Sequence, residues 1–267
     1  MKVGINGLGR IGGHVYRHLN SLDDYECVVV NDINPDIGNL TYMLNYDSTY
    51  SLRDSKFNHD SEYILGNNKK TKVLNCNRVS DIDFAKYEID VWIDATGVTQ
   101  NIIDARKCVD SGLIDKVIST FHTGHEDFTM ILGVNEKEYN PLKHKILSGA
   151  ICDAVAIAPV LKIIDDQFDI KNGYITTLHP WLNYQNLLDG PASSWADPGK
   201  IFHHYALGRA AVGNIIPKPT SVMEVIYDAI TPLKQKNLKC FSYRMPTNIV
   251  CSADITINTK KNINNLN

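Results

Sequence analysis

The sequence lacks the features that mark membrane proteins and nucleic-acid-binding proteins. None of its apolar runs approaches the ~20 residues of a membrane span, and its start, MKVGINGLGRIGG, lacks the apolar stretch of a signal peptide. It also has no block of basic residues. Its 27 Lys and Arg against 30 Asp and Glu give a formal charge of −3. We therefore expect no membrane partner, no nucleic-acid partner and a cytoplasmic location.

The sequence also lacks any CxxC pair. Its six cysteines are scattered, which argues against a disulfide framework and against a zinc site, so we expect no metal. The adjacent pair His203-His204 is interpreted as a surface pair, because neighbouring side chains point in different directions. At least one cysteine remains a candidate reactive thiol among Cys27, Cys76, Cys108, Cys152, Cys240 and Cys251.

A glycine motif follows the first apolar run of the chain. Residues 2–6 are typical of a short strand, residues 7–12 read Gly-Leu-Gly-Arg-Ile-Gly, and the segment from His14 is typical of a helix. Strand, glycine turn and helix together form the phosphate-binding start of a dinucleotide-binding fold, in which the helix N-terminus holds the pyrophosphate. The cofactor-binding residues predicted from this motif are Asn6, Gly7, Gly9, Arg10, Ile11 and Gly12.

An acidic residue stands where such a fold would bind a ribose. The second apolar run, residues 27–30, ends in Asn31-Asp32, about 20 residues beyond the glycines. Asp32 predicts NAD as the cofactor, because a carboxylate would repel the 2′-phosphate of NADP. A capping turn is the alternative interpretation of Asp32, although it does not explain the spacing.

Two further apolar runs end in small polar residues, as strands do when they line the crevice of a parallel sheet. These are residues 91–97 and 116–120, and a helical pattern lies between them. Thr96, Gly97 and Ser119 are therefore added to the predicted cofactor site. We predict an α/β fold whose N-terminal part is a Rossmann-type, doubly wound parallel sheet.

The second half contains a cysteine and a histidine that could act together. Cys152 opens a segment with helical spacing, so we expect its thiol to lie at a helix N-terminus that lowers its pKa. His179 follows a β-rich run and could serve as general base. The alternatives are a buried, inert cysteine and a structural histidine. In a chain with a dinucleotide fold, the pair instead indicates covalent capture of an aldehyde and hydride transfer.

Blocks over nearly the whole chain resemble one family. In chain order they are KVGINGLGRIG, YMLNYDST, DATGV, LGVN, ILSGAICDAVAIAPVLKIIDDQF, YITTLHPW, LLDGP, GRAAVGNIIP and YRMPTNIV, and they resemble glyceraldehyde-3-phosphate dehydrogenase. The resemblance implies an NAD-binding domain over residues 1–148 and an α+β catalytic domain with a largely antiparallel sheet over residues 149–267. It also implies an active site in the cleft between the domains, a small aldehyde as substrate and a homotetramer.

The resemblance assigns Cys152 as nucleophile and His179 as base, and it places Arg244 where the family holds the substrate phosphate. Arg209 and Thr220 are further candidates for that phosphate. Asp153 stands beside the nucleophile where the family has a hydroxyl that helps to bind inorganic phosphate, so its charge opposes the phosphorylating step.

Three other positions depart from the family pattern. Leu182 replaces a phosphate-binding threonine, and residues 192–206 form a longer loop than the family has. After residues 253–257 the family's final strands and closing helix have no counterpart, so we expect a catalytic domain that is incomplete relative to the family.

Three functions remain open from the sequence. The first is NAD-dependent oxidation of a phosphorylated aldehyde, such as glyceraldehyde 3-phosphate, to an acyl phosphate or an acid. The second is a catalytically inactive relative that binds NAD or a partner protein. The third is a semialdehyde dehydrogenase that uses the same cysteine chemistry.

Overall fold

The computed structural model describes residues 1–50, 56–183, 185–191 and 205–262. Its contacts divide into two compact units, and Met130–Glu138 belongs with the second unit rather than the first. The first unit is formed by Met1–Thr129 and Tyr139–Gly149, and the second also contains the chain from Ala150 onward. The single boundary that the sequence indicated therefore differs from this division. Most of the longer loop expected at 192–206 lies outside the described residues.

The first unit is a nine-stranded sheet with helices. Its helices are α1 (Arg10–Asn20), α2 (Ile37–Asn45) and α3 (Thr99–Asp110). Its strands are β1 (Lys2–Asn6), β2 (Glu26–Asn31), β3 (Asn58–His59), β4 (Tyr63–Gly66), β5 (Lys69–Leu74), β6 (Val91–Asp94), β7 (Lys116–Ser119), β8 (Phe128–Thr129) and β9 (Ile146–Ser148).

The strands of this sheet lie in the order β3-β4-β5-β2-β1-β6-β7-β9-β8. Every pair from β5 to β8 is parallel, and only the β3-β4-β5 edge is antiparallel. Adjacent residues of a strand point to opposite faces. Val29 belongs to one buried cluster with Trp92, whereas Val30 belongs to another with Tyr16. Both faces are thus covered, which explains why these strands are apolar at successive positions.

The second unit combines a four-stranded sheet with two helices. The helices are α4 (Cys152–Phe168) and α5 (Val222–Ala229), and the strands are β10 (Ile170–Pro180), β11 (Ile216–Lys218), β12 (Leu238–Met245) and β13 (Ser252–Thr259). In the order β11-β12-β10-β13, the two outer pairs are antiparallel and the central pair is parallel.

Helix α4 packs through one apolar stripe. Ala154, Ile157, Ala158 and Leu161 recur at helical spacing and are buried with residues of α5 and β10. This packing fixes the helix N-terminus, where Cys152 lies, relative to the sheet of the same unit. The α/β class with an α+β second unit is confirmed. Among the described residues, none of the helices combines the length and the hydrophobicity that a membrane crossing needs.

Candidate active site

Cys152 and Asp153 are the first two residues of α4, as the helical spacing predicted. Ile151 before them is extended, and Ala150 has a φ of 62°. This conformation is uncommon for a residue with a Cβ, and such residues concentrate at functional sites. The Cys152 side chain is exposed, whereas that of Asp153 is only 4% exposed. The turn into the helix therefore presents the thiol and buries the carboxylate.

His179 lies near the end of β10, and its partner is Asp153. The His179 Nε2 donates a hydrogen bond to the Asp153 Oδ2, and both side chains are largely buried. Because a carboxylate accepts from Nε2, the neutral imidazole carries its proton there and leaves Nδ1 as an acceptor. Sequence reasoning assigned Asp153 only to the phosphate site, whereas the structure makes it the residue that orients His179.

Cys251 was not assigned a role from the sequence, yet its thiol faces His179. Its Sγ lies 3.3 Å from the His179 Nδ1. The pairing of β10 with β13 brings it there, since Leu178 is opposite Ser252. Val250, immediately before Cys251, has a φ of 75°, a strained value for a β-branched residue. Both cysteines of the site thus follow backbone with positive φ.

Cys152, Asp153, His179 and Cys251 each place a potential ligand atom within 4.8 Å of the others. We call these four residues the thiol cluster. Sequence reasoning expected no metal site because CxxC pairs are absent, but the four residues come from three segments that the fold brings together. The Cys152 thiol and a ring nitrogen of His179 are close enough for proton transfer after a small adjustment or through one water molecule.

The expected lowering of the Cys152 pKa is wrong. Although Cys152 is open to solvent on one side, the side chains around its sulfur desolvate it, and this desolvation, followed by the negative charge of Asp153, raises the pKa of Cys152 above its ordinary value. A hydrogen bond from the backbone of Asp153, the positive charge of Arg244 and a contact with Cys251 act in the opposite direction without overcoming them. The helix N-terminus therefore does not lower the pKa of Cys152 below its ordinary value, because desolvation of the sulfur and the carboxylate of Asp153 in the first turn act against it.

Arg244 lies on β12 beside His179, its partner in the parallel register of β10 and β12. The arginine is 7% exposed and its Nη1 donates to the Pro180 carbonyl oxygen at 3.1 Å. Its charge acts on the Cys152 thiol. The structure thus brings Arg244 to the thiol cluster, as expected for a group that holds the phosphate of a substrate.

Lys218 is a second cation at this site, and it was not among the residues predicted from the sequence. It ends β11, opposite Ser242 of β12. Burial and the nearby charge of Arg244 lower the pKa of Lys218, while Asp153 and Cys152 raise it. In the sequence, Lys218 lies two residues before the phosphate candidate Thr220. That spacing could have marked it as a candidate, but only the pairing of β11 with β12 shows that it lies near Arg244.

The other two phosphate candidates are not tied to the thiol cluster by the contacts of the described residues. The Thr220 hydroxyl accepts the Val222 N–H at 3.3 Å at the start of α5. Arg209 is paired with Asp189 at 3.2 Å, and its side chain is 64% exposed. Both residues stay predictions for substrate binding.

The glycine turn of the first unit fits a dinucleotide phosphate. Gly7 has a φ of 87°, and a Cβ on Gly12 would lie 1.8 Å from the Gly7 carbonyl oxygen, so helix and turn can pack only without a side chain. A Cβ on Gly9 would meet nothing within 4 Å, which leaves room for a ligand at the N-terminus of α1. The first turn of α1 holds no acidic residue, and Arg10 and the 57% exposed Ile11 flank the opening.

Asp32 and Asn6 hold this turn in place. The two Asp32 carboxylate oxygens accept the backbone N–H groups of Leu8 at 2.7 Å and Asn34 at 2.8 Å. Asn6 donates to the buried Asp94 carboxylate and accepts from Asn31. Asp32 keeps further lone pairs for a ribose, whereas the Asn6 side chain lies within the sheet.

The predicted cofactor-site residues at the ends of β6 and β7 differ in how accessible they are to a ligand. Thr96 donates to Asp94 at 2.6 Å and accepts from Val98, and Gly97 has a φ of 74° with open space where a Cβ would stand. Ser119 is fully buried and its hydroxyl donates to the Phe121 carbonyl oxygen. The side chain of Ser119 therefore supports the strand end, and its part in cofactor binding stays a prediction.

Comparison with known proteins agrees with both halves of this arrangement. Residues 1–102 match the family model described as glyceraldehyde 3-phosphate dehydrogenase, NAD binding domain, and residues 151–266 match the one described as its C-terminal domain. The prediction of NAD as cofactor is thereby confirmed.

Similar relatives come from yeasts and bacteria. Glyceraldehyde-3-phosphate dehydrogenase of Ogataea parapolymorpha is 37% identical over 263 residues, which cover 97% of this chain and 73% of the relative. Glyceraldehyde-3-phosphate dehydrogenase 1 of Bacillus subtilis is 33% identical, and the match covers 96% of this chain and 72% of the relative. Glyceraldehyde-3-phosphate dehydrogenase 1 of Saccharomyces cerevisiae is also 33% identical, and the match covers 98% of this chain and 75% of the relative. The chain belongs to the glyceraldehyde 3-phosphate dehydrogenase family.

Proposed function

We propose that the chain oxidises a phosphorylated aldehyde, glyceraldehyde 3-phosphate or a close analogue, with NAD as oxidant and Cys152 as covalent nucleophile. The observation that carries the proposal is the close grouping of Cys152 and His179 beside Arg244 in a unit that matches the family's C-terminal domain. A nucleophile, a proton acceptor and an anion-binding group suit such a reaction.

The chemistry of the protein groups follows from their positions. The Cys152 sulfur adds to the aldehyde carbon and forms a hemithioacetal, while the thiol proton passes to the developing oxyanion through His179. His179 then accepts the hydroxyl proton as the carbon loses hydride and a thioester forms. NAD, when bound, supplies the hydride acceptor. Attack of inorganic phosphate or water on the thioester carbon breaks its bond to the Cys152 sulfur, releases an acyl phosphate or an acid, and leaves a Cys152 thiolate that takes up a proton before the next cycle.

Two cations would hold the substrate phosphate in this proposal. Arg244 presents a planar guanidinium that suits a phosphate monoester, and Lys218 adds a second positive charge nearby. Leu182 has no hydroxyl with which to bind the phosphate, and the charge of Lys218 compensates for that.

The test is the formation of NADH, followed by its absorbance, with purified protein, NAD and glyceraldehyde 3-phosphate. The reaction is run with and without inorganic phosphate or arsenate. Cys152→Ser should abolish turnover, while Cys240→Ser is the matched control. Cys240 is another cysteine of the same unit that lies outside the thiol cluster, so the Cys240→Ser variant should retain turnover.

Each alternative function predicts a different result. NAD binding without turnover of any aldehyde would point to a catalytically inactive relative. Preference for a non-phosphorylated semialdehyde or its acyl phosphate would point to a semialdehyde dehydrogenase. Turnover that survives Cys152→Ser would contradict the covalent mechanism.

We further propose that the enzyme works in the cytoplasm as a homo-oligomer, a tetramer by family resemblance. Support comes from four exposed apolar side chains in two segments that are joined by a backbone hydrogen bond from Ala211 to Asn186. Their exposed fractions are 73% for Leu187, 81% for Leu188, 62% for Val212 and 61% for Ile215. Light scattering after size exclusion should give the mass of four chains, and the mass of one chain would contradict the proposal.

A further inference from the structure

We propose that the thiol cluster is a binding site for Zn²⁺, in which the ion is held by Cys152, Asp153, His179 and Cys251 and closes the nucleophile to substrate. Binding of the ion stands independently of the enzymatic activity. Its inhibitory consequence rests on the proposed function, because it requires Cys152 to be the nucleophile.

The fold brings the four donors within 4.8 Å of one another, and side-chain rotations complete the site: the Asp153 carboxylate gives up its hydrogen bond to the His179 Nε2 and turns to an ion held by Nδ1. Cys152 and Asp153 are fixed by the first turn of α4, His179 by β10, and Cys251 by the residue before β13. The His179 Nδ1 and the Cys251 Sγ are 3.3 Å apart, and the Cys152 Sγ and the Asp153 Oδ1 are 3.9 Å apart. Ligands of a tetrahedral zinc lie about 2.0–2.3 Å from the ion, so neighbouring ligand atoms should be about 3–4 Å from one another.

The chemistry of the donors selects the metal. Two sulfurs, one imidazole nitrogen and one carboxylate oxygen suit Zn²⁺, whereas Mg²⁺ and Ca²⁺ require oxygen ligands. Both cysteine side chains are exposed, so an ion can reach them from solvent. The two thiol protons pass to solvent when the metal–sulfur bonds form.

The surrounding charge also favours a bound ion with its thiolates. Zn²⁺ with two thiolates and one carboxylate carries a single negative charge. Arg244 acts electrostatically on Cys152, and Lys218 acts on both Cys152 and Asp153. These cations would repel a free metal ion, but they balance the charge of the completed site.

The experiment titrates the full chain, reduced and stripped of metal with a chelator, with Co²⁺ and then with Zn²⁺. We expect one Co²⁺ per chain with a sulfur-to-cobalt charge-transfer band and the intense visible bands of tetrahedral cobalt, all removed by one equivalent of Zn²⁺. Cys251→Ser should weaken Zn²⁺ affinity by at least about 100-fold. Cys240→Ser, the matched control, should bind as the wild type does.

A second measurement does not depend on any variant. Zn²⁺ should slow alkylation of Cys152 by iodoacetamide, read from the labelled peptide by mass spectrometry, and a chelator should restore the rate. Absence of the sulfur-to-cobalt band, unchanged affinity in Cys251→Ser or unprotected Cys152 would each overturn the site. NADH formation in the presence of chelator tests the dehydrogenase separately, so failure of either proposal can be recognised without the other.

Discussion

Asp153 orients His179 by accepting the hydrogen bond of its Nε2, and it does so from the position that follows Cys152 in the chain. The helix start therefore carries both the candidate nucleophile and the group that positions its base. The same carboxylate raises the pKa of the Cys152 thiol, after burial as the larger cause. Asp153 thus aligns the histidine but reduces the fraction of thiolate at neutral pH.

Asp153→Asn should make Cys152 alkylate faster near pH 7, while lowering kcat. Removing the negative charge lowers the thiol pKa, and each unit of that decrease gives about tenfold more thiolate when pH is well below the pKa. In the wild type, the rate of alkylation should still be rising at pH 9, because the thiol titrates above its ordinary value. The measurement is the pH profile of iodoacetamide labelling, with Cys152→Ser as blank. An identical profile for Asp153→Asn would contradict the role given to its charge.

Local pattern was enough to predict the glycine turn and the start of α4, since both depend on neighbouring residues. It did not predict that Asp153 meets His179 or that Cys251 faces the same ring, 72 residues along the chain. Those contacts depend on the pairing of β10 with β13, whose register is set by tertiary packing. The same reason explains why Lys218 was overlooked, because only the pairing of β11 with β12 brings it near Arg244.

Arg244→Lys should raise the KM for glyceraldehyde 3-phosphate by roughly 10- to 100-fold, because a lysine cannot present the planar fork that binds two phosphate oxygens. Arg78→Lys is the matched control, because Arg78 is an exposed arginine of the first unit, and it should change the KM by less than about twofold. Steady-state kinetics with saturating NAD measure both. Equal effects of the two variants would remove the distinction between a buried phosphate ligand and a surface arginine.

Gly12→Ala should prevent the first unit from folding normally, since the new Cβ would lie 1.8 Å from the Gly7 carbonyl oxygen. Gly9→Ala is the contrasting variant, because its Cβ meets no protein atom within 4 Å and its φ of −63° suits alanine. It should fold but bind NAD at least about tenfold more weakly, since the backbone approaches the pyrophosphate there. Thermal unfolding and calorimetric titration with NAD distinguish the two. Unweakened binding by Gly9→Ala would contradict the proposed approach of the cofactor.

Val250→Gly should stabilise the second unit by about 1 kcal/mol. A non-glycine residue at positive φ costs about 1–3 kcal/mol, and the greater freedom of an unfolded glycine offsets only part of that relief. The Val250 side chain is 76% exposed, so its removal costs little packing. Val250→Ala keeps the strain and serves as control. Urea unfolding of both variants measures the difference, and a less stable glycine variant would show that the conformation is not strained.

Asp127→Asn should destabilise the first unit by about 1–3 kcal/mol at neutral pH, because the carboxylate accepts the N–H groups of Lys145 and Ile146, each at 2.8 Å, and pairs with Arg106 at 2.7 Å.

Burial raises the pKa of Asp127, but Arg106 and the two N–H groups outweigh it, so the pKa is lowered. A lowered folded pKa means that the stabilisation is complete above the unfolded value, about 3.9, and is lost as pH falls through the folded value. The difference in unfolding free energy between wild type and Asp127→Asn should therefore be constant above about pH 5 and shrink below about pH 4. Asp115→Asn, at a side chain that is 65% exposed, should show a much smaller difference, and a gap for Asp127→Asn that persists in acid would contradict the charge-based explanation.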